Sequence, residues 1–160
     1  MNINTLGRDF PHPASHIREL IRFLRHAWTV PSDQRLSWNG EYVQVEGQAL
    51  RGWGSGGVED ASAPIYLAAV NAGMLRLAGD LCDGLCGHPI ASVRFINEYV
   101  WPHIDEGLRR SGRTRADFDH QSWLTFAVSR DRKQALRELK VHVARFMATR
   151  SYGVVLDSQG

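Results

Sequence analysis

Apolar residues recur at helical spacing in some stretches of the chain and form short continuous runs in others. The first helical stretch covers residues 16–28, where one face carries Ile17, Leu20, Ile21, Leu24 and Trp28. Ser15 is the expected N-cap, and Pro13 is expected to stop the helix upstream. Asn39-Gly40 predicts the turn of a hairpin within residues 36–45, because these two residue types tolerate the positive φ angles of tight hairpin turns.

Three strand–helix units are predicted in the rest of the chain. The strands cover residues 65–69, 84–86 and 122–128, and the helices that follow them cover 73–81, 93–110 and 131–147. Ser92 is the expected cap of the second helix, and Pro102 inside it predicts a kink or a split. The tail from 152 to 160 is expected to be irregular. The third helix is expected to bury Ala135, Leu139, Val143 and Phe146.

Strands that alternate with helices predict an α/β fold with a parallel sheet and right-handed crossovers. At 160 residues the chain is long enough to bury a core. We predict one domain over residues 1–160, with a hairpin and Gly-rich loop insertion at residues 29–63. A sheet of three parallel strands has two open edges, so the chain is expected to form part of a larger structure.

Composition narrows the range of partners. The net charge of +2 is small, and Asp105, Glu106 and Asp117 flank the arginines of residues 109–115, so a nucleic-acid surface is not expected. The sequence contains no apolar run of membrane-spanning length and begins without the apolar core of a signal peptide, so the cytoplasm is the expected location. The two cysteines fit a reducing compartment.

Residues 64–79 are the most informative stretch, since an apolar strand there turns through small residues into a helix. The first N–H groups of such a helix are unpaired and lie at the positive end of its dipole, which favours a phosphate. An ordinary strand–helix turn is the alternative. The candidate phosphate-binding residues are Ala68, Ala69, Val70, Asn71, Ala72 and Gly73. Residues 52–57 match a dinucleotide-binding glycine pattern, but no helix follows them, so that match is set aside.

His88 follows the second predicted strand and is a candidate for hydrogen bonding to a ligand or for proton transfer. The competing interpretation is a loop histidine that caps backbone ahead of Pro89, and it is favoured because no carboxylate lies at a fixed spacing. Cys82 and Cys86 suggest a metal site with His88, but the spacing matches no standard zinc pattern and no metal is expected.

Two further groups of residues allow a structural and a functional interpretation. Asp117 and Asp119 would share a face of an extended segment, where an ion-pair cluster with nearby arginines is favoured over an acid–base pair. Trp53, in the Gly-rich loop, either lines a substrate entrance or is exposed. The other tryptophans are expected to pack in the core or the hairpin, namely Trp28, Trp38, Trp101 and Trp123.

Six segments, taken in order, resemble one known family. They are residues 16–28, Trp38-Asn39-Gly40-Glu41-Tyr42, residues 64–78, residues 82–89, the segment Ser111-Gly112-Arg113-Thr114-Arg115-Ala116-Asp117-Phe118, and residues 129–135. They are similar to the helix after barrel strand four, the hairpin after it, strands five and six, the segment before strand seven and the start of helix seven. The family is that of luciferase-like monooxygenases, which are flavin- and deazaflavin-dependent (β/α)8-barrel oxidoreductases.

The resemblance implies a partial TIM-type (β/α) barrel of about three parallel strands, with helices and a small hairpin insertion. It implies FMN or a deazaflavin as the coenzyme, with its phosphate at Ala68–Gly73, and a small-molecule substrate. A full barrel needs about 250 residues, so the chain is expected to be a truncated oxidoreductase with little or no activity alone. The alternative is a non-catalytic half-barrel that self-associates or pairs with another half-barrel.

Overall fold

The computed structural model describes residues 11–31, 33–49, 63–147 and 152–157. The chain divides into two compact units, with the boundary between Ile65 and Tyr66. The first unit contains helix α1 (Pro13–Thr29) and an antiparallel hairpin of β1 (Arg35–Asn39) and β2 (Gln44–Ala49). The hairpin prediction is confirmed. Strand β2, however, extends through residues 47–49, which the composition places in the loop.

Helix α1 begins at Pro13 instead of residue 16. His12 occupies the N-cap position with a φ of 54°, and Ser15 lies inside the helix, so the predicted cap is wrong. Pro13 is the first helical residue and does not stop the helix, because the N–H that proline lacks has no intrahelical partner at that position.

The carboxylate of Glu19 joins helix α1 to the hairpin turn. Its oxygens accept the backbone N–H of Val43 at 2.7 Å, of Tyr42 at 3.0 Å and of Glu41 at 3.0 Å. Burial opposes the charged form of Glu19, but these N–H groups favour it more strongly, so its pKa lies below the usual value. A Cβ on Gly40 would overlap this carboxylate. A larger residue at the turn would therefore have to displace the Glu19 carboxylate from its three N–H groups.

The second unit is built on a parallel sheet with the strand order β3 (Tyr66–Ala68), β4 (Gly84–Gly87), β5 (Asp119–Ser122). Helix α2 (Ala72–Leu81) connects β3 to β4. The connection from β4 to β5 contains α3 (Val93–Phe95), a π-helical turn (Ile96–Val100), α4 (Trp101–Arg110) and a 3₁₀ turn (Arg115–Asp117). Helices α5 (Arg132–Met147) and α6 (Gly153–Asp157) follow. The predicted α/β class, with three parallel strands and a hairpin, is confirmed.

The third strand lies earlier in the chain than predicted. Strand β5 pairs Asp119 with Gly84 and Ser122 with Gly87, whereas most of the apolar run at 122–128 is not in a strand. Pairing with β4 therefore determines the position of β5, although its residues are polar. The prediction of a strand over 122–128 is wrong.

The C-terminal tail also differs from the prediction, because residues 153–157 are helical and Val155 is fully buried. Helix α5 forms as predicted, but its apolar face is only half-buried. Within the described ranges, none of the helices is both long enough and apolar enough to cross a membrane.

The long connection after β4 begins with the predicted cap, since Ser92 Oγ accepts the N–H of Phe95 at 3.1 Å. The predicted break at Pro102 appears as the π-helical turn just before it, where the N–H of Trp101 reaches the carbonyl of Ile96. Pro102 has no N–H to continue the α-helical ladder, and the widened turn accommodates this loss.

Helices α2 and α4 cross at two glycines. A Cβ on Gly79 would overlap the carbonyl oxygen of Ile104 and lie 3.0 Å from the nitrogen of Leu108. A Cβ on Gly107 would overlap the carbonyl oxygen of Arg76. The close crossing holds α2 against the core, which consists of Leu75, Ala78, Leu85, Phe95, Val100, Ile104, Leu108, Phe118 and Val155.

Candidate functional site

A cavity of about 320 Å³ lies at the carboxyl ends of β3 and β4, where parallel β/α folds place their ligands. Of the predicted phosphate-binding residues, Ala68, Ala69, Val70 and Asn71 line this cavity. Ala72 and Gly73, the first two residues of α2, do not line it. The rest of the lining consists of Met74, Cys86, Gly87, His88, Pro89, Trp123 and Tyr152.

The N-terminus of α2 meets the cavity without a side-chain cap. Asn71 is the N-cap residue, and its side chain accepts no hydrogen bond from the first turn. The first intrahelical bond runs from the N–H of Leu75 to the carbonyl of Asn71 at 2.9 Å. The preceding N–H groups of α2 have no partner among the described residues, and a Cβ at Gly73 would meet open space.

The electrostatics of this helix end come from the backbone. No lysine, arginine or carboxylate is among the described residues that line the cavity, and the first turn of α2 has no acidic residue. The positive end of the helix dipole is therefore the main source of potential for an anion there.

His88 forms one wall of the cavity. Its Nδ1 accepts the backbone N–H of Ile90 at 3.4 Å, the backbone-capping contact that the sequence favoured. The ring lies 4.2 Å from that of Tyr152 and 5.0 Å, edge on, from that of Phe146. Burial lowers the pKa of His88, so the neutral ring prevails at pH 7. With Nδ1 as acceptor, the proton of the neutral ring lies on Nε2.

The structure separates the three residues that were weighed as a metal site. Cys86 and His88 line the cavity, but Cys82 is fully buried at the C-terminal end of α2 and is not part of the lining. The described residues contain no cluster of three or more His, Cys, Asp or Glu side chains suited to a metal ion.

Two aromatic residues of the cavity were not identified from the sequence. Trp123 was expected in the core or hairpin but is 64% exposed and lines the cavity. Tyr152 lies at the start of the tail that was expected to be irregular. Neither residue belongs to a motif, and only the pairing of β5 with β4 and the burial of Val155 bring them to the site. Trp53 and the glycine pattern at 52–57 lie outside the described residues.

The two aspartates weighed as an acid–base pair have separate structural roles. Asp117 accepts the backbone N–H and hydroxyl of Thr114, both at 2.9 Å, and these bonds lower its pKa. Asp119 accepts the hydroxyl of Tyr66 at 2.9 Å. Neither carboxylate lines the cavity.

The other residues of the 111–118 segment also stabilise the fold. The guanidinium of Arg113 donates to the carbonyls of Gly79 at 2.6 Å and Cys82 at 2.8 Å, which caps the C-terminal end of α2. Arg115 pairs with Asp105 and lies 4.5 Å from the ring centre of Trp101. Within the described structure, the segment therefore contacts α2 and α4 and does not line the cavity.

Comparison with known proteins places these features in a family. The sequence model of luciferase-like monooxygenases matches residues 1–160. An uncharacterised protein of Mycobacterium tuberculosis is 29% identical over 93% of this chain and 45% of its own length. The 5,10-methylenetetrahydromethanopterin reductase of Archaeoglobus fulgidus is 28% identical over 97% of this chain and 43% of its own. The F420-dependent glucose-6-phosphate dehydrogenase of Kineococcus radiotolerans is 26% identical over 88% of this chain and 40% of its own length.

Solved structures show the same fold. The coenzyme F420-dependent tetrahydromethanopterin reductase of Methanopyrus kandleri superposes with a TM-score of 0.70 and 24% identity, over 98% of this chain and 46% of that one. The chain spans less than half the length of each of these relatives. Its mixed α/β architecture corresponds to part of their barrel. The chain therefore belongs to the luciferase-like monooxygenase family.

Proposed function

We propose that this chain provides the phosphate-binding part of the coenzyme site in a deazaflavin-dependent oxidoreductase. The observation that carries the proposal is the uncapped N-terminus of α2, which opens onto the cavity at the ends of β3 and β4. Relatives whose names state F420 dependence favour a deazaflavin over FMN. A deazaflavin in such a site supplies hydride transfer to or from its ring.

The residues of the cavity fit one end of such a coenzyme. The backbone N–H groups of the first turn of α2, between the lining residues Asn71 and Met74, are proposed to hold a phosphate without a cationic side chain. The volume of about 320 Å³ is at the lower end of the range for ligand pockets, which suits a phosphate and the chain next to it. Trp123 and Tyr152 supply aromatic surface beside this end.

His88 is proposed to orient the bound coenzyme and not to transfer a proton. The neutral ring, held by Ile90, Phe146 and Tyr152, presents Nε2–H as a hydrogen-bond donor. No carboxylate within the described lining is placed to raise its basicity. This assignment keeps the backbone-capping role of Nδ1.

A binding titration tests the proposal. The purified chain is titrated with a phosphate-bearing deazaflavin, with FMN, and with riboflavin, which differs from FMN only in lacking the phosphate. Binding of the phosphate-bearing ligands and loss of affinity for riboflavin are expected. Equal affinity for FMN and riboflavin would refute a phosphate site, and preference for FMN over the deazaflavin would refute the choice of coenzyme.

A charge variant locates the phosphate on α2. Asn71→Asp keeps the size and the N-cap preference of the residue but adds a negative charge at the helix end, and it is expected to weaken binding of a phosphate-bearing ligand about tenfold or more. Asn71→Ser is the matched neutral control and is expected to bind like the wild type. Equal affinity of the Asp and Ser variants would place the phosphate elsewhere.

A further inference from the structure

Helix α5 carries an excess of positive charge that the rest of the chain lacks. It contains five lysines and arginines and one glutamate, a net charge of +4, while the whole chain has a net charge of only +2. The remainder of the chain is therefore net negative, at −2. A basic helix on an otherwise slightly acidic protein favours contact with an acidic partner.

The positive side chains of α5 lie on the side that faces away from the fold. The other side carries the half-buried residues Ala135, Leu139, Val143 and Phe146, and the ring of Phe146 lies 5.0 Å from that of His88. The helical repeat places a second set of residues opposite these, and all of its members are exposed. We call this set the basic face, and it consists of Lys133, Arg137, Lys140, Val141 and Arg145.

Completion of a barrel does not account for the basic face. The helices of a (β/α)8 barrel form an outer ring and pack on the strands through their apolar side. In α5 that side is the one that bears Phe146, which contacts the cavity residue His88. The basic face is therefore on the outer surface, whether the barrel is partial or complete.

The four cations of the basic face have no ionic partner in the described part of the chain. Elsewhere in the second unit, Arg76, Arg94, Arg110 and Arg115 each form an ion pair with a carboxylate. The only glutamate of α5, Glu138, accepts the side-chain amide of Gln134 at 3.0 Å instead. A carboxylate that comes from outside therefore meets no internal competitor at the basic face.

A groove beside the basic face shows which acidic partner fits. Its volume is about 370 Å³, and its described lining consists of Arg137, Glu138, Val141, His142 and Arg145. Val141 is 59% exposed and lies one helical turn from both Arg137 and Arg145. A partner with apolar side chains between its carboxylates covers Val141, whereas a nucleic-acid backbone offers it no apolar surface and is repelled by Glu138. Insertion into a membrane needs a free apolar side, which α5 has turned to the fold.

We propose that the basic face of α5 docks an acidic amphipathic helix of a partner protein. Carboxylates four residues apart on such a helix lie about 6 Å apart, which is the spacing of positions 133, 137, 141 and 145 on α5. Arg137 and Arg145 pair with these carboxylates through their planar guanidinium groups, and Val141 packs between them. None of the residues of the basic face lines the cavity at the ends of β3 and β4.

Fluorescence anisotropy on the full chain tests the proposal. The probe is a labelled synthetic peptide that repeats Glu-Leu-Ala-Gln, so that its carboxylates are four residues apart. The wild type is expected to bind it with a Kd of about 10–100 μM at about 0.05 M salt, and more weakly as added salt screens the charges. The same peptide with Gln in place of Glu is not expected to bind. Absence of binding to the acidic peptide, or equal binding of the two peptides, overturns the proposal.

Charge reversal locates the contact on α5. Arg137→Glu and Arg145→Glu are each expected to weaken binding of the acidic peptide about tenfold or more. Arg109→Glu makes the same change in net charge on α4, where Arg109 is also exposed, and it is expected to bind like the wild type. Val141→Ser is expected to weaken binding about threefold or more, because the apolar contact is lost. An equal loss of affinity in Arg109→Glu overturns the assignment to α5.

Two further measurements distinguish direct pairing from misfolding and from other partners. A peptide with Lys in place of Glu is expected to bind the double variant Arg137→Glu, Arg145→Glu and not the wild type, and failure to bind that variant overturns direct pairing. A DNA duplex and vesicles of phosphatidylcholine with phosphatidylserine are titrated in the same way. Tighter binding of either one than of the acidic peptide overturns the choice of a protein partner. None of these results bears on coenzyme binding.

Discussion

Replacing Gly79 with alanine is expected to destabilise the second unit, although alanine is the better helix former. The added methyl group would overlap the carbonyl oxygen of Ile104 and lie 3.0 Å from the nitrogen of Leu108. Both atoms belong to the backbone of α4 and are unable to rotate away. Helices α2 and α4 therefore have to separate by about 1 Å.

The cost of that separation follows from the side chains at the crossing. Leu75, Ile104 and Leu108 are fully buried, and each contributes about 2 kcal/mol to stability. A gap of up to about 1 Å removes a quarter to a half of the dispersion energy of a contact, so the three lose about 1.5–3 kcal/mol, to which backbone strain adds about 1 kcal/mol. The gain in helix propensity returns about 1 kcal/mol. The net destabilisation is about 1.5–3 kcal/mol, within the range for overpacked cores.

Thermal unfolding followed by circular dichroism measures the effect, at one fixed protein concentration. We expect Gly79→Ala to lower Tm by about 3–10 °C. Gly73→Ala is the matched control in the same helix, because its methyl group meets open space, and it is expected to raise stability by about 0.4–1 kcal/mol. A rise in Tm for Gly79→Ala like that of Gly73→Ala would refute the close crossing.

Three further predictions concern other contacts. Gly40→Ala is expected to displace the carboxylate of Glu19 and lower Tm, and an unchanged Tm would contradict the steric requirement at the turn. Arg113→Ala removes two hydrogen bonds from the carbonyl end of α2 and is expected to cost about 1–3 kcal/mol in urea unfolding, whereas no change would contradict the capping role. Burial lowers the pKa of His88, so the unfolded chain binds this proton more tightly than the folded chain. The stabilising contribution of the neutral His88 is therefore complete above about pH 6.5, and it is lost as the pH falls through the folded pKa. Tm measured from pH 7 to pH 5 is expected to fall less steeply for His88→Gln, and parallel curves would contradict this.

The strands and helices that position the cavity were predictable because each has a local signal. The apolar run of β3, the small residues before α2 and the Ser92 cap all lie within a few residues of the feature they determine. The break at Pro102 was predictable for the same reason. Its form as a π-helical turn was not, because the choice between a kink and a wider turn depends on the packing of α3 and α4.

The errors arose where tertiary contacts override local preference. Residues 122–128 have a higher β propensity than 119–122, yet the pairing with β4 selects the polar residues. The burial of Val155 similarly imposes order on a tail without a periodic pattern. Trp123 and Tyr152 reach the cavity through these two effects, so the sequence alone does not identify the aromatic part of the site.

The two ends of helix α2 are treated differently, and this difference is the strongest physical argument for an anion site. At the carbonyl end, the guanidinium of Arg113 complements the negative end of the helix dipole and satisfies two carbonyl groups. At the opposite end the first turn carries no acidic residue, and Asn71 leaves the N–H groups uncapped. Water is the acceptor available to these partly exposed N–H groups, and a phosphate would replace it with a charged acceptor that the helix dipole favours. Phosphate binding is therefore expected to raise Tm in the wild type, and less so in Asn71→Asp, where the introduced carboxylate already complements the helix end.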